Sequence, residues 1–406
     1  MRTKTRIIFI ALLLLTSNFY GQDDDITPTG AEVTANTLDY SVPFLTIAPD
    51  SRGGALGDAG VATSADINSI HWNPSKYSFM EKDFGLAVSY TPWLRNLVPD
   101  IYLAYLTGYY RLDKEQVISG SLRYFSLGEI MFTDEQGNDY GQHIPNEFAV
   151  DAAYSRKFSE RFSGGIAFRY IRSDLTGGAY VSGNESKVGN AVAADVSMYY
   201  KNPYFDVGDD KEMNYAFGIN IRNIGSKISY SDKKNFIPTK LKLGGAATVK
   251  MDQYNSIMFT TELGKLLVPT PPVYDQDVDG NVLTDDNGER IIAAGMDPDV
   301  SVTQGIFQSF YDAPGGFEEE MHEIKYSLGL EYWYQKVFAI RTGYFNEHES
   351  KGNRKYFTVG VGLKLNVFEA DFSYVIPRYQ NHPLGNTMRF TLALDFEALK
   401  KEQRNQ

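Results

Sequence analysis

Asp275, Asp277, Asp279, Gly280, Asn281 and Asp286 stand at nearly the spacing of a calcium loop, where carboxylates at alternate positions and a glycine for the sharp turn surround a hard cation. Asp occupies the last position in place of the usual Glu, and Pro269 and Pro271-Pro272 forbid the helix that normally precedes such a loop. The same residues are standard turn formers, so a polar hairpin tip without metal is the preferred reading. His71, His143, His322, His348 and His382 show no metal-ligand spacing. With no Cys there is no thiol nucleophile, and no G-x-S-x-G elbow occurs. A Ser, His and Asp arrangement in space is not readable from order alone. We expect no enzyme, no metal and no cofactor.

The remaining chemistry is that of partner binding. Ser301 to Tyr311 has helical spacing at Val302, Ile306, Phe307 and Phe310, and breaks at Pro314-Gly315-Gly316. An apolar helix outside a membrane needs somewhere to bury that face. Trp93, Leu94 and Leu97 pose the same choice: each group either caps the mouth of a larger structure or binds a partner, and the Trp also suits an interfacial girdle.

What positions these groups is a dense stretch from Phe44 to Tyr77 followed by a long series of strands. Gly53, Gly54, Gly57 and Gly60 let backbone approach backbone, with Asp58 among them. Asp66 is placed to cap a short helix over Ile67 to Trp72, which Asn73-Pro74 stops. His71 reads as structural. The stretch reads as a compact plug.

Beyond Asp83 the period is two almost everywhere. Met388, Phe390, Leu392, Leu394 and Phe396 share one face while Arg389, Thr391, Ala393 and Asp395 share the other; Phe357 to Leu365 and Phe368 to Ile376 alternate likewise. About fourteen strands, from Phe84 to Phe396, are joined alternately by short and long links, as in outer-membrane barrels. One expected short link, Asn202 to Asn214, is too long for the rule. An all-β, antiparallel transmembrane barrel is therefore predicted, with 22–83 as a hatch, 84–396 as the barrel and 397–406 as a periplasmic tail. Such a barrel is too wide for its own side chains to fill. Inward Gly165, Gly218, Gly329, Gly343, Gly360 and Gly362 make room for the hatch, and Arg169, Arg222, Glu262, Glu331, Arg341 and Asp371 are placed to bind its backbone.

Arg2, Lys4 and Arg6 precede the apolar run Ile7 to Leu15, which marks 1–21 as a signal peptide. Loss of those three cations moves the formal charge from −12 to −15, an acidic balance that argues against nucleic acid. With 28 Tyr and 25 Phe against 3 Trp, the aromatics suit a core or the girdles of a barrel facing outer-membrane lipid.

Ala62, Asp66, Ser69, Trp72, Asn73 and Pro74 resemble the hatch of FadL-type outer-membrane transporters, with Ser75 where that element has Ala. The fuller run through Pro49-Asp50, Arg52-Gly53, Gly57 to Ala62 and His71 to Tyr77 is more similar to the PorV family, FadL-like barrels of the type IX secretion system of Bacteroidetes. That resemblance implies a shuttle that docks with the SprA (Sov) translocon, receives the C-terminal signal domain of cargo, and delivers it to the PorU attachment complex. The alternative is a FadL-like conduit for long-chain fatty acids or other hydrophobic small molecules.

Overall fold

The computed structural model describes residues 35–395 apart from 96–97, 99, 134–138, 179, 182–183, 207, 209–210, 232 and 380–382. Expectations for the leader, Leu97, His382, Phe396 and the tail lie outside the described residues. Fourteen antiparallel strands close into one barrel in chain order. They are β1 to β14: Phe84–Pro92, Tyr102–Arg111, Gln116–Ser126, Asn146–Lys157, Phe162–Asp174, Gly189–Asp206, Glu212–Gly225, Lys240–Lys250, Asn255–Leu266, Lys325–Tyr334, Phe338–Asn346, Lys355–Lys364, Phe368–Pro377 and Met388–Asp395. The seam pairs β1 with β14 from Gly85↔Asp395 to Tyr90↔Phe390. Closure leaves no strand edge unpaired, which is what a backbone in hydrocarbon requires.

The faces are those of a soluble protein turned inside out. Val88, Phe168, Val192, Phe217 and Leu392 point outward and are exposed, whereas Thr107, Arg123, Asp151, Arg169 and Arg341 point inward and are buried. Aromatics gather near both rims: Tyr90, Tyr102 and Tyr124 touch in sequence at one end, and Phe158 and Phe162 pair at the other. These are the girdles expected at the two interfaces. No helix among the described residues is long and apolar enough to cross a membrane.

Link lengths alternate. The short turns are self-closing: the Asp113 carboxylate accepts from the Glu115 and Gln116 amides at 2.7 and 2.8 Å, and Asp252 does the same for Tyr254 and Asn255. The anomalous link shrinks because β6 runs on to Asp206 and β7 starts at Glu212, leaving 207–211 between them. Both strands rise beyond the predicted bounds with a register shift between Asn202 and Phe205, an irregularity that period-two reading cannot see.

Candidate functional site

Residues 42–80 fill the lumen. Their helices are α1, Ser51–Ala55, and α2, Ser69–Trp72. Trp72 is the keystone. Its Nε1–H donates to Asp50 Oδ1 at 2.7 Å, while Asp50 Oδ2 accepts the Gly53 amide at 2.9 Å and so caps α1. A Cβ on Gly53 or on Gly60 would stand 2.2 Å from the indole, so only glycine admits the ring between them. Asn73 ends α2 and begins the next turn: its Nδ2 donates to the Val61 and Met198 carbonyls at 3.0 Å, and its Oδ1 accepts the Ser75 amide at 3.1 Å. Pro74 is the first residue of that turn. The buried Lys76 ammonium donates to the Gly60 carbonyl at 2.7 Å. Asp58 takes a left-handed backbone and accepts from Tyr356 Oη at 2.6 Å.

Plug and wall meet at glycines. A Cβ on Gly218 would lie 2.1 Å from the Val61 carbonyl oxygen, on Gly343 2.1 Å from the Gly57 amide, on Gly165 2.7 Å from the Ser75 amide, on Gly360 2.5 Å from Ala55 Cβ, and on Gly329 2.9 Å from Leu56. Gly54 in turn leaves space for Arg389. Gly362 differs from expectation: it makes room for the Arg341–Asp371 pair, with a Cβ 2.4 Å from the Asp371 carboxylate, and not for the plug.

Two further expectations are corrected. Asp66 does not cap α2, which starts after Asn68. Its carboxylate instead holds the Arg52 guanidinium at 2.8 Å and accepts from Ser69 Oγ at 3.1 Å, because a buried guanidinium competes for it more strongly than a neutral amide. Of the six inward charges, Glu262 alone binds plug backbone, accepting the Gly60 and Val61 amides at 2.8 and 2.9 Å. Glu331 binds the Arg52 side chain at 2.9 Å, Arg341 bridges Glu331 and Asp371, Arg169 bridges Asp151 and Asp195, and Arg222 faces His71. Arg169 and Arg341 need carboxylates once desolvated, and the neighbouring strands supply them. Arg123 and Arg389, absent from the six inward charges, do bind the plug backbone, through the Phe44 and Leu45 carbonyls and the Ala48 carbonyl. The available signal was a charge on the inward register of an alternating strand.

At the long-link end, 267–324 forms a folded shelf. It carries α3, Val302–Gln308, shorter than Ser301 to Tyr311, and an unpredicted α4, Gly316–His322. Lys265 reaches Glu320 at 2.9 Å and Glu323 at 2.5 Å; Lys351 reaches Glu319 at 2.5 Å and Glu323 at 3.0 Å. Buried ion pairs therefore rivet α4 to the rim. Glu347, just beyond β11, is brought down to about 2: burial alone would raise it, but Arg354 and Lys325 outweigh that. Outward from the shelf stand Phe307, Phe310, Tyr311, Phe317 and Met321, all exposed, while Ile306 is half-buried. Trp93 and Leu94 are half-buried at the mouth against Phe345, Tyr356, Val375 and Leu384.

The acidic stretch forms stacked turns. Asp277 accepts from the Asp279 and Asn281 amides at 2.9 Å, and Asp285 from those of Asn287 and Glu289 at 2.9 Å. The Oδ1 of each thus holds turn backbone while its Oδ2 accepts from the Asn281 or Asn287 side chain, and no group of three metal-ligating side chains occurs among the described residues.

A closed fourteen-strand barrel with an apolar outer wall and a lumen corked by its own N-terminal segment defines an outer-membrane β-barrel of the hatch-bearing kind. Residues 31–273 match the family model described as type IX secretion system protein PorV, so the chain belongs to that family. It is a secretion family, not a family of enzymes. Among solved structures the chain is similar to the Ralstonia pickettii toluene transporter TbuX (10% identity, 86% of this chain and 97% of that one, TM-score 0.41). It is also similar to the Pseudomonas putida toluene transporter TodX (10%, 89% and 98%, 0.44) and to a Pseudomonas aeruginosa FadL homologue (10%, 89% and 100%, 0.42). Comparison with curated proteins gave no match.

Proposed function

We propose that this chain is a non-enzymatic shuttle of type IX secretion, which docks with the SprA translocon, receives the C-terminal signal domain of a cargo protein and hands it to the PorU attachment complex. Family membership supplies the pathway. The observation that carries the docking role is the shelf: an apolar ledge of Phe307, Phe310, Tyr311, Phe317 and Met321 held rigid by Lys265 and Lys351. A soluble face of that kind costs free energy unless something covers it. The preorganised loop also lowers the ordering cost that a partner would otherwise meet. Trp93 and Leu94 pack at the mouth against Phe345, Tyr356, Val375 and Leu384, and outer-membrane lipid surrounds the barrel. A conduit for fatty acid has against it a lumen threaded by buried ion pairs and backbone contacts that would all have to part.

The test pairs a deletion strain with ledge variants. Deletion is expected to keep type IX cargo from the surface, and Phe307→Asp with Phe317→Asp should fail to restore it while the barrel still resists warm SDS. Normal cargo display in the deletion strain, with uptake of long-chain fatty acid lost, would overturn the reading.

A further inference from the structure

Between the plug and the barrel wall lies a small cavity of about 40 Å³, walled by Arg222, Lys240, Lys242, Lys325 and Arg354 but by only two carboxylates, Asp58 and Glu262. The charges do not pair off. Lys242 takes Glu262 at 2.5 Å. Lys325 and Arg354 share Glu347, each at 2.5 Å. Arg222 Nε stops 3.6 Å from Asp195, whose oxygens Arg169 already holds, and this buried nitrogen has no hydrogen-bond partner. The Lys240 ammonium has neither a hydrogen bond nor an ion pair among the described residues. Its side chain lies across Gly264, where a Cβ would stand 2.9 Å from Lys240 Cε.

Register sharpens the point. Arg222 and Lys240 are direct cross-strand partners on β7 and β8. Like charges placed opposite one another destabilise a sheet even on a wet surface, and here both border one enclosed space. Two cations so placed are tolerated when an anion sits between them.

We propose that this chamber binds a small oxyanion, a carboxylate or phosphate group, with Lys240 and Arg222 as its donors. Lys240 offers a mobile point charge and Arg222 a planar fork, the pairing that suits an anion with oxygens on more than one side. The site is independent of how cargo is handled, since the ledge residues take no part in it.

Isothermal titration of the full chain in nonionic detergent with inorganic phosphate, acetate and dodecanoate tests this. Saturable binding of phosphate or acetate at one site per barrel is expected, with the preferred anion telling phosphate from carboxylate. Lys240→Met should weaken it at least about tenfold, the order expected when one charge-assisted bond is lost. Lys240→Arg should retain it, and Lys364→Met, at the far rim, should leave it unchanged. No saturable heat with either small anion, equal binding by Lys240→Met, or dodecanoate bound far more tightly than acetate would overturn the proposal. If the methionine variant does not assemble, anomalous density from selenate-soaked wild-type crystals decides: a peak between Lys240 and Arg222 supports the site, and its absence sinks it.

Discussion

Gly343 in the wall and Gly57 in the plug meet backbone to backbone, so close that a Cβ on Gly343 would stand 2.1 Å from the Gly57 amide nitrogen. Neither partner can yield by turning a side chain. Gly57 also has φ +71, where a side chain is strained, and its own Cβ would strike the Tyr344 carbonyl at 2.6 Å. The plug is thus fitted to the wall through atoms that have no rotamers.

Gly343→Ala should therefore shift the plug and cost about 1–3 kcal/mol, the usual penalty of overpacking. Planar-bilayer conductance is expected to rise above wild type. Gly245→Ala is the control, because its Cβ would meet nothing closer than Phe217 at 3.6 Å. Equal conductance in all three proteins would count against a wall-fitted plug. The double variant Asn73→Ala with Pro74→Ala should open the lumen similarly, since Asn73 ties the plug to the Met198 carbonyl on β6.

Arg52 joins Asp66 of the plug to Glu331 of the wall. Arg52→Met leaves the buried Glu331 and the half-buried Asp66 short of a cation and should cost about 3 kcal/mol. Arg341 still holds Glu331 at 2.6 Å, so the barrel itself is expected to survive. Urea unfolding in detergent would register the loss, and adding Glu331→Gln should recover part of it. A variant as stable as wild type would show that the pair is not a brace.

Asp312, in the shelf outside the strands, is raised from 3.8 to about 6 by burial, with Glu320 and Glu323 adding to the effect against hydrogen bonds from Thr270. The folded shelf therefore binds more protons than the unfolded one between pH 3.8 and 6, and it gains stability as pH falls through that range. Glu347 acts oppositely, but only below its ordinary 4.5. From pH 7 to 5, amide exchange at Thr270, which donates to Asp312 at 3.1 Å, should slow several-fold once intrinsic rates are removed. Asp312→Asn should abolish that dependence; if it persists, another group is responsible.

Val359 faces outward on β12 and is 41% exposed. On a protein in water, Val359→Arg would be nearly neutral, whereas near the bilayer midplane it should cost about 2–4 kcal/mol. Urea titration of folding into liposomes distinguishes these outcomes. A change below about 0.5 kcal/mol, the ordinary surface value, would place that wall in water.

The sequence by itself determined the barrel, because outward Phe357, Val359 and Val361 alternate with inward Thr358, Gly360 and Gly362, and a dyad period survives without any long-range information. It also marked the plug, since the glycines around Trp72 and the Asn73-Pro74 stop are local backbone requirements. Only the tertiary structure decided which charge meets which. Arg52 and Glu331 are 279 residues apart, and Asp66 could cap its own helix or serve a distant guanidinium; closure of the barrel settled that choice by removing water and making the strongest available partner win. The chamber at Arg222 and Lys240 was hidden for the same reason. Two cations eighteen positions apart mean nothing until strand register sets them side by side.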